Sequence, residues 1–375
     1  MSDMTILKIF TLNYSFYTWE KSGTLEREIK IYTELEKKYN LNFIFLTYGD
    51  KTEKEYEKYF QNSKIIPIYS LVKYSEYKII RIIRSFFIPF KIRKDLKNIS
   101  LIKHNQMLGA WIAIILKYLI RKPFIMRTGY DMYLFSKMND TGFLKRCFYF
   151  LLTQITLLTS DIYTVASICD YNFLKKTFIT KNNIEVRPNW VEKRPYKIID
   201  ERYKNRIISI GRLEDQKNFK YILEELKDLN FVIDIVGDGG GEKELQNFAD
   251  KNKIMVNFLG TMKNEELLNL LEKYMFYISA SKFEGNPKTV LEALSVGCVV
   301  FASNIQNHQE LINHSNGYLF NLTKNSLKSV VKDPNKNLSE LKTKSKKGYD
   351  DVNNYNSLSS AVENEYKDYC LLSKT

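Results

Sequence analysis

Between residues 5 and 320 the chain alternates short apolar runs with amphipathic ones, and it runs through that alternation twice. Short runs rich in Ile, Val, Phe and Tyr read as buried strands. Runs with apolar residues every three or four positions read as helices. In the first pass, residues 5–12, 42–47, 123–127, 162–166 and 184–187 read as strands. Residues 24–39, 107–120 and 143–160 read as helices. After a charged stretch containing Pro195 (residues 191–205), taken as a linker, the alternation restarts. Residues 206–209, 231–236, 256–259, 275–280, 299–302 and 317–320 read as strands, and 219–229, 242–252, 264–273 and 289–296 as helices. Residues 324–347 are basic and weakly patterned, and 358–372 reads as a final helix. The fold class is therefore α/β, with parallel sheets covered by helices on both faces. The expected domains are residues 1–190, residues 191–355, and a terminal helix over 356–375. Two such units place a binding site at the carboxyl ends of strands.

At 44% hydrophobic residues the chain can bury a core, which excludes wholesale disorder. Cys147, Cys169, Cys298 and Cys370 form no CxxC pair, and His104, His308 and His314 are scattered. Neither a disulfide framework nor a metal centre is indicated, and no cofactor is expected. No signal peptide and no spanning helix are expected either. The formal net charge is +14, and it is uneven: residues 73–146 hold 16 basic against 4 acidic residues. Such a region attracts nucleic acid, anionic lipid or acidic small molecules. Its sharpest part spans Lys78 to Phe90, within a stretch, Lys78 to Lys94, that could meet an anionic membrane surface. Lys78, Arg81 and Arg84 recur every three residues, opposite an apolar stripe of Ile79, Ile83, Phe86, Phe87 and Phe90. That pattern suits a helix lying on an anionic membrane surface. It suits equally a surface helix whose basic stems cover its own domain.

Three segments carry chemistry. In Ile207–Asn218 a strand runs into Gly211, and a turn bearing Arg212 and Lys217 leads to a helix. Two cations at a strand end and a helix amino terminus suit a diphosphate. In Ile233–Gly241, Gly237, Asp238 and Gly239 follow a strand and permit close backbone approach to a ligand. In Ser279–Gly297, Glu284 sits in a loop after an apolar strand, followed by Gly285, Asn286, Pro287, Lys288 and Thr289. Pro287 reads as a first-turn proline. Glu292 follows Glu284 after seven residues, about a turn into the helix. Such carboxylates accept hydrogen bonds from sugar hydroxyls or stabilise positive charge at an anomeric carbon.

The order and spacing of these segments resemble the nucleotide-sugar-binding domain of the family 4 retaining glycosyltransferases. The matching elements are Gly-Arg…Lys at Gly211, Arg212 and Lys217, Gly-Asp-Gly at Gly237–Gly239, and Glu-x7-Glu from Glu284 to Glu292. The resemblance is strong over residues 206–320 and fainter upstream, where residues 160–166 and 184–191 look like the end of the family's first domain. Ser22–Glu28, with Gly23 and Arg27, occupies the place of its glycine-containing loop. The resemblance implies the GT-B fold, two Rossmann-like domains facing across a cleft. It implies that Arg212 and Lys217 bind the donor diphosphate, Glu292 the ribose hydroxyls, and Glu284 the donor sugar near the reacting centre. It implies a metal-independent, retaining transfer from a UDP- or GDP-sugar to a glycan or lipid-linked acceptor, in bacterial surface polysaccharide synthesis. The enzyme would be cytoplasmic and peripheral on the inner face of the membrane.

Two departures stand out. Many members carry a first-domain histidine near the donor sugar. The corresponding stretch here, Met126–Asp131, has none, which leaves Arg127, Tyr130 or Asp131 for that contact, with His104 also nearby. The usual glycine after the motif lysine is Asn218. The competing functions are an epimerase or phosphorylase of the same fold, or a nucleic-acid-binding protein. The basic region matches no nucleic-acid module, and none is expected as a partner.

Overall fold

The computed structural model describes residues 4–139, 141–181, 183–332 and 337–373. The chain divides into two compact units. One runs to Pro188 and resumes at Ala361, and the other is Asn189–Ser360. In chain order the first contains β1 (Thr5–Ile9), α1 (Phe16–Lys21), α2 (Leu25–Tyr39), β2 (Asn42–Thr47), β3 (Lys64–Pro67), α3 (Lys78–Ser85), α4 (Ile88–Ile92), β4 (Leu101–Asn105), α5 (Ala110–Ile120), β5 (Phe124–Thr128), α6 (Met132–Met138), α7 (Phe143–Thr159), β6 (Ile162–Val165), α8 (Ile168–Thr177) and β7 (Ile184–Val186). The second contains β8 (Tyr203–Ile210), α9 (Phe219–Leu226), β9 (Val232–Val236), α10 (Glu242–Lys251), β10 (Val256–Phe258), α11 (Asn264–Leu271), β11 (Tyr274–Ser279), α12 (Lys288–Ser295), β12 (Val299–Ser303), α13 (Gln306–Gln309), β13 (Tyr318–Phe320), α14 (Ser326–Val331) and α15 (Leu338–Tyr355). Helix α16 (Leu358–Ser373) belongs to the first unit from Ala361.

Both sheets are parallel. Their strand orders are β3-β2-β1-β4-β5-β6-β7 and β10-β9-β8-β11-β12-β13. Each order reverses direction once, between β1 and β4 and between β8 and β11, and open α/β sheets bind ligands at the carboxyl ends of strands at such a reversal. Strands covered on both sides need apolar residues at successive positions. In β11 and β12 every residue is buried.

One face of the first sheet packs Leu7, Ile9, Ile102, Phe124 and Met126 against α4, α5, α7 and α8. The opposite face packs Phe45 against Phe16 and Tyr32, with ring centroids 5.2 and 5.3 Å apart. That face also holds two lysines. Lys8 and Lys103 are neighbours in register on β1 and β4, and both are buried. Helix α16 supplies the counter-charge: Glu365 pairs with Lys103, and Asp368 accepts Arg187 Nε and Nη2 at 3.0 and 2.7 Å. Burial, followed by the charge of Lys103, holds Lys8 well below the usual lysine range. Burial lowers Lys103 too, against the pull of Glu365.

The structure corrects several expectations. Residues 191–205 are not a linker. Val191 bridges to Ser357, and Trp190, Ile199 and Arg202 are buried in the second unit. Arg194 holds Asn269 of α11 and Glu272 just past its end at 2.8 and 2.7 Å, while Arg202 donates to Val296 O at 2.7 Å. Groups elsewhere in the second unit take up these cations, so the segment packs. Strands β3 and β4, and helices α1, α6 and α8, went unread. The basic helix from Lys78 is broken into α3 and α4. Arg81 donates to Asn13 Oδ1 and to the carbonyls of Ser75 and Glu76, each at 2.9 Å. Arg84 donates to the carbonyls of Lys73 and Tyr74 at 2.5 and 3.1 Å. The two guanidinium groups face their own chain, and the apolar stripe faces out.

Candidate functional site

The three motif segments lie in the second unit, at the ends of β8, β9 and β11. Two of them, the loops after β8 and β11, flank the strand-order reversal. The first two are laced together by backbone. Gly211 N donates to Val236 O at 2.9 Å, Leu213 N to Asp238 O at 2.7 Å and Gly241 N to Leu213 O at 3.0 Å. This closeness requires glycine. A Cβ on Gly237 (φ +135°) would lie 2.0 Å from the Gly211 carbonyl oxygen, and one on Gly239 would lie 2.7 Å from Leu213 N.

Arg212 projects from the end of β8 with its side chain 68% exposed, and a single 3.3 Å contact to Glu214 restrains it. Asn218 has a left-handed backbone, φ 55°, at the start of α9. Asparagine tolerates this conformation better than most other residues. Lys217 turns the other way and meets Glu284. Its Nζ lies 2.5 Å from Glu284 Oε1, and the two side chains are only 17% and 9% exposed. Two of the expected catalytic residues are thus in direct contact.

The loop carrying Glu284 is held on three sides. Gln216 Nε2 donates to Phe283 O at 2.9 Å, and Lys282 N donates to Gln216 O at 2.9 Å. Asn307 Nδ2 donates to Gly285 O at 2.5 Å. Asn189 donates its N–H to Asn286 Oδ1 and its amide to Asn286 O, at 3.0 and 2.8 Å. Pro287 is the N-cap of α12 rather than a first-turn residue. Lys288 lies over the Trp190 ring at 4.5 Å, and the Thr289 hydroxyl accepts Tyr277 OH at 2.9 Å. Glu292 is buried one turn into α12 and accepts Asn264 Nδ2 at 2.9 Å. The Tyr277 hydroxyl, pushed far up by burial, feels the charge of both Glu284 and Glu292. Behind the loop, buried His308 makes a 2.8 Å hydrogen bond with Ser303 O, and burial lowers its pKa.

Sequence reasoning missed Gln216, Asn307, Asn189 and Asn264. They are uncharged and lie 22 to 97 positions from the groups they hold, so local spacing gave no signal.

The first-unit candidates separate. His104 is fully buried on β4. Its Nδ1 lies 3.2 Å from Ile9 O, and desolvation lowers its pKa to about 3. Asp131 is buried as the N-cap of α6. It accepts Leu134 N at 2.7 Å, and burial raises it to about 6. Neither lines an open site, because one is locked under a strand end and the other is spent on a helix terminus. The Tyr130 ring lies 4.4 Å from that of Phe135, tilted by 34°. Arg27 donates Nε and Nη2 to Glu28 Oε1 on α2 at 3.1 and 3.0 Å. Gly23 turns the chain between α1 and α2 with φ 69° rather than directly following β1. Arg127 ends β5 half-buried, and its charge depresses Lys8 and Lys103. Among the described residues, no three His, Cys, Asp or Glu side chains converge as a metal site. No helix there is long and apolar enough to cross a membrane.

Residues 193–347 match the family model described as glycosyl transferases group 1. Over 140 residues, 36% of this chain, it is 27% identical to the UDP-N-acetylglucosamine–peptide N-acetylglucosaminyltransferase GtfA subunit of Streptococcus agalactiae. Over 122 residues, 30% of this chain, it is 31% identical to the UDP-Gal:alpha-D-GlcNAc-diphosphoundecaprenol alpha-1,3-galactosyltransferase of Escherichia coli. The chain spans 26% of the length of the first and 32% of the second. Sucrose-phosphate synthase from Thermosynechococcus elongatus superimposes with a TM-score of 0.80 at 13% identity, covering 98% of this chain and 99% of that one. The fold is GT-B.

Proposed function

We propose that this chain, which carries a group 1 glycosyltransferase domain on a GT-B fold, moves a sugar from a nucleoside-diphosphate sugar to a glycan or lipid-linked acceptor. The contact between Lys217 and Glu284 beside exposed Arg212, at the reversal of the second sheet, carries the reading. Two cations and a carboxylate grouped at such a reversal suit a diphosphate and its sugar, which supports the reading. The names of both curated relatives specify UDP-sugars, which favours UDP over GDP.

In this reading Arg212 and Lys217 hold the diphosphate. Their charge acts most strongly as the bond from the anomeric carbon to the phosphate oxygen breaks and negative charge builds on the leaving group. Glu292, oriented by Asn264, accepts the ribose hydroxyls, and Glu284 faces the sugar, where positive charge develops. The acceptor hydroxyl attacks on the face the phosphate leaves and passes its proton to that phosphate, so configuration is retained. The two cations meet the phosphate charge without a divalent ion. The acceptor belongs to bacterial surface polysaccharide synthesis, and the enzyme works at the inner face of a membrane.

The test is release of nucleoside diphosphate from UDP- and GDP-sugars with a panel of glycan and lipid-linked acceptors. Linkage is read by NMR, and the reaction is repeated with a chelator. Acceptor-dependent UDP release, chelator-resistant and with retained configuration, is expected. Interconversion of sugar nucleotides without acceptor or UDP release would make the protein an epimerase instead.

A further inference from the structure

Helix α13 is four residues long, yet two neighbouring side chains on it reach the loop that carries Glu284. Asn307 takes the far side of the carboxylate: its amide donates to Gly285 O at 2.5 Å, one residue past Glu284. His308 takes the near side. It is fully buried beside Ser279 and Ser303, the last residues of β11 and β12. Its Nδ1 lies 2.8 Å from Ser303 O and 3.1 Å from Ser303 Oγ, and its Nε2 lies 3.5 Å from Ser279 Oγ. Ser303 Oγ in turn donates to Ser281 O at 2.6 Å, three residues ahead of Glu284. The loop is thus tied on both sides of the carboxylate, at Ser281 and at Gly285.

These hydrogen bonds assign the tautomer. The Ser303 carbonyl can only accept, and the one hydroxyl proton of Ser303 goes to Ser281. Both contacts at Nδ1 therefore need a proton on Nδ1, which leaves Nε2 bare in the neutral ring. The charged groups that act on the ring are Glu284, on the loop after β11, and Lys217, on the turn ahead of α9. Strands β11 and β12 present the serine hydroxyls and the Ser303 carbonyl to it. Burial lowers the pKa of His308, so the ring is neutral near pH 7. A second proton would enter at Nε2. It would set a cation against Lys217 and compete with that lysine for Glu284.

We infer that His308, as its Nδ1–H tautomer, is a positioning residue for Glu284: through Ser303 it fixes the loop on one side of the carboxylate, as Asn307 does on the other. The inference rests on the reading of Glu284 as the group that faces the donor sugar. Placement matters there, because a shift of about 1 Å at a reacting group can cost about 100-fold in rate.

The test is the pH dependence of kcat, and of KM for the donor, in the full chain and its variants. The parent should lose turnover in acid, below the usual histidine range. His308→Asn sets an amide nitrogen where Nδ1 stands and does not titrate. Its kcat should stay within about fivefold of the parent, and that acid limb should vanish. His308→Leu should cost about 10- to 100-fold in kcat with KM within about threefold, because the cations that hold the diphosphate remain. If the leucine variant does not fold, Ser303→Ala, which cuts the tie to Ser281, carries the same expectation. Equal kcat losses in the asparagine and leucine variants, a loss in KM rather than kcat, or an unmoved acid limb in His308→Asn would each overturn the inference. A parent that releases no UDP with any acceptor would sink the transferase reading instead. Two further measurements then decide the placement itself. Nitrogen-15 NMR of the imidazole rings, with His308 assigned through His308→Asn, should show Nδ1–H, and crystals of Ser303→Ala should show Glu284 displaced. A ring protonated at Nε2, or an unmoved Glu284, would overturn it.

Discussion

Glu284 and Lys217 are both expected to act on the donor, yet they hold each other. Opposite charges 2.5 Å apart attract by about 1.7 kcal/mol even at the dielectric constant of water, and these side chains are largely shielded from water. A diphosphate that draws Lys217 to itself must weaken that pair, so part of the attraction opposes donor binding. Glu284→Gln removes the competing charge while keeping the size and a carbonyl acceptor. UDP should then bind about five- to tenfold more tightly, a gain of about 1–1.4 kcal/mol. Turnover should fall by about 100-fold or more, because the carboxylate no longer faces the positive charge that develops on the sugar. Titration calorimetry with UDP and a UDP-release assay read the two effects independently. Unchanged or weaker UDP affinity would refute the competition. Unchanged turnover would remove Glu284 from the reacting centre.

Three further outcomes are expected. Arg212→Ala should leave melting within about 0.5 kcal/mol of the parent, since the side chain is exposed and loosely paired; calorimetry should show UDP binding weakened about tenfold and uridine binding unchanged. Glu365→Ala should destabilise the chain by about 3–5 kcal/mol in denaturant titrations, because it strands buried Lys103, and adding Lys103→Met should recover much of the loss. Asp131 is raised by burial above its unfolded value, so the folded chain holds its proton more tightly; the stability this gives is present below about pH 4 and lost as pH rises through about 6. Asp131→Asn should therefore unfold like the parent near pH 4 and be about 1–3 kcal/mol more stable at pH 8, as read by denaturant titration at the two pH values.

The motif-bearing loops were legible because each follows a strand whose apolar run is uninterrupted and carries its glycine or carboxylate at a fixed offset. Gly211, Gly237 and Glu284 all stand just past a strand end. Strand β4 escaped because Lys103 and His104 read as solvated polar residues, whereas Glu365, more than 260 positions away, makes burial of the lysine tolerable. Residues 191–205 read as a linker for the same reason: Arg194 and Arg202 find their partners just past the end of α11 and at Val296. The basic helix was legible as amphipathic, but its facing was not. Arg81 and Arg84 satisfy backbone carbonyls a few residues upstream, which a hydrophobic pattern does not register. Amides such as Gln216 and Asn307 leave no periodic trace.

The membership of α16 has a consequence for biosynthesis. The first unit needs Glu365 and Asp368 to neutralise Lys103 and Arg187, and the ribosome delivers them only after all of Asn189–Ser360 has been made. Domains tend to fold in the order they emerge. Here the unit translated first stays incomplete, its sheet face carrying uncompensated lysines, while the unit translated second has all its strands in hand. Nascent chains stalled before residue 361 should therefore show a protease-resistant second unit attached to a protease-sensitive first.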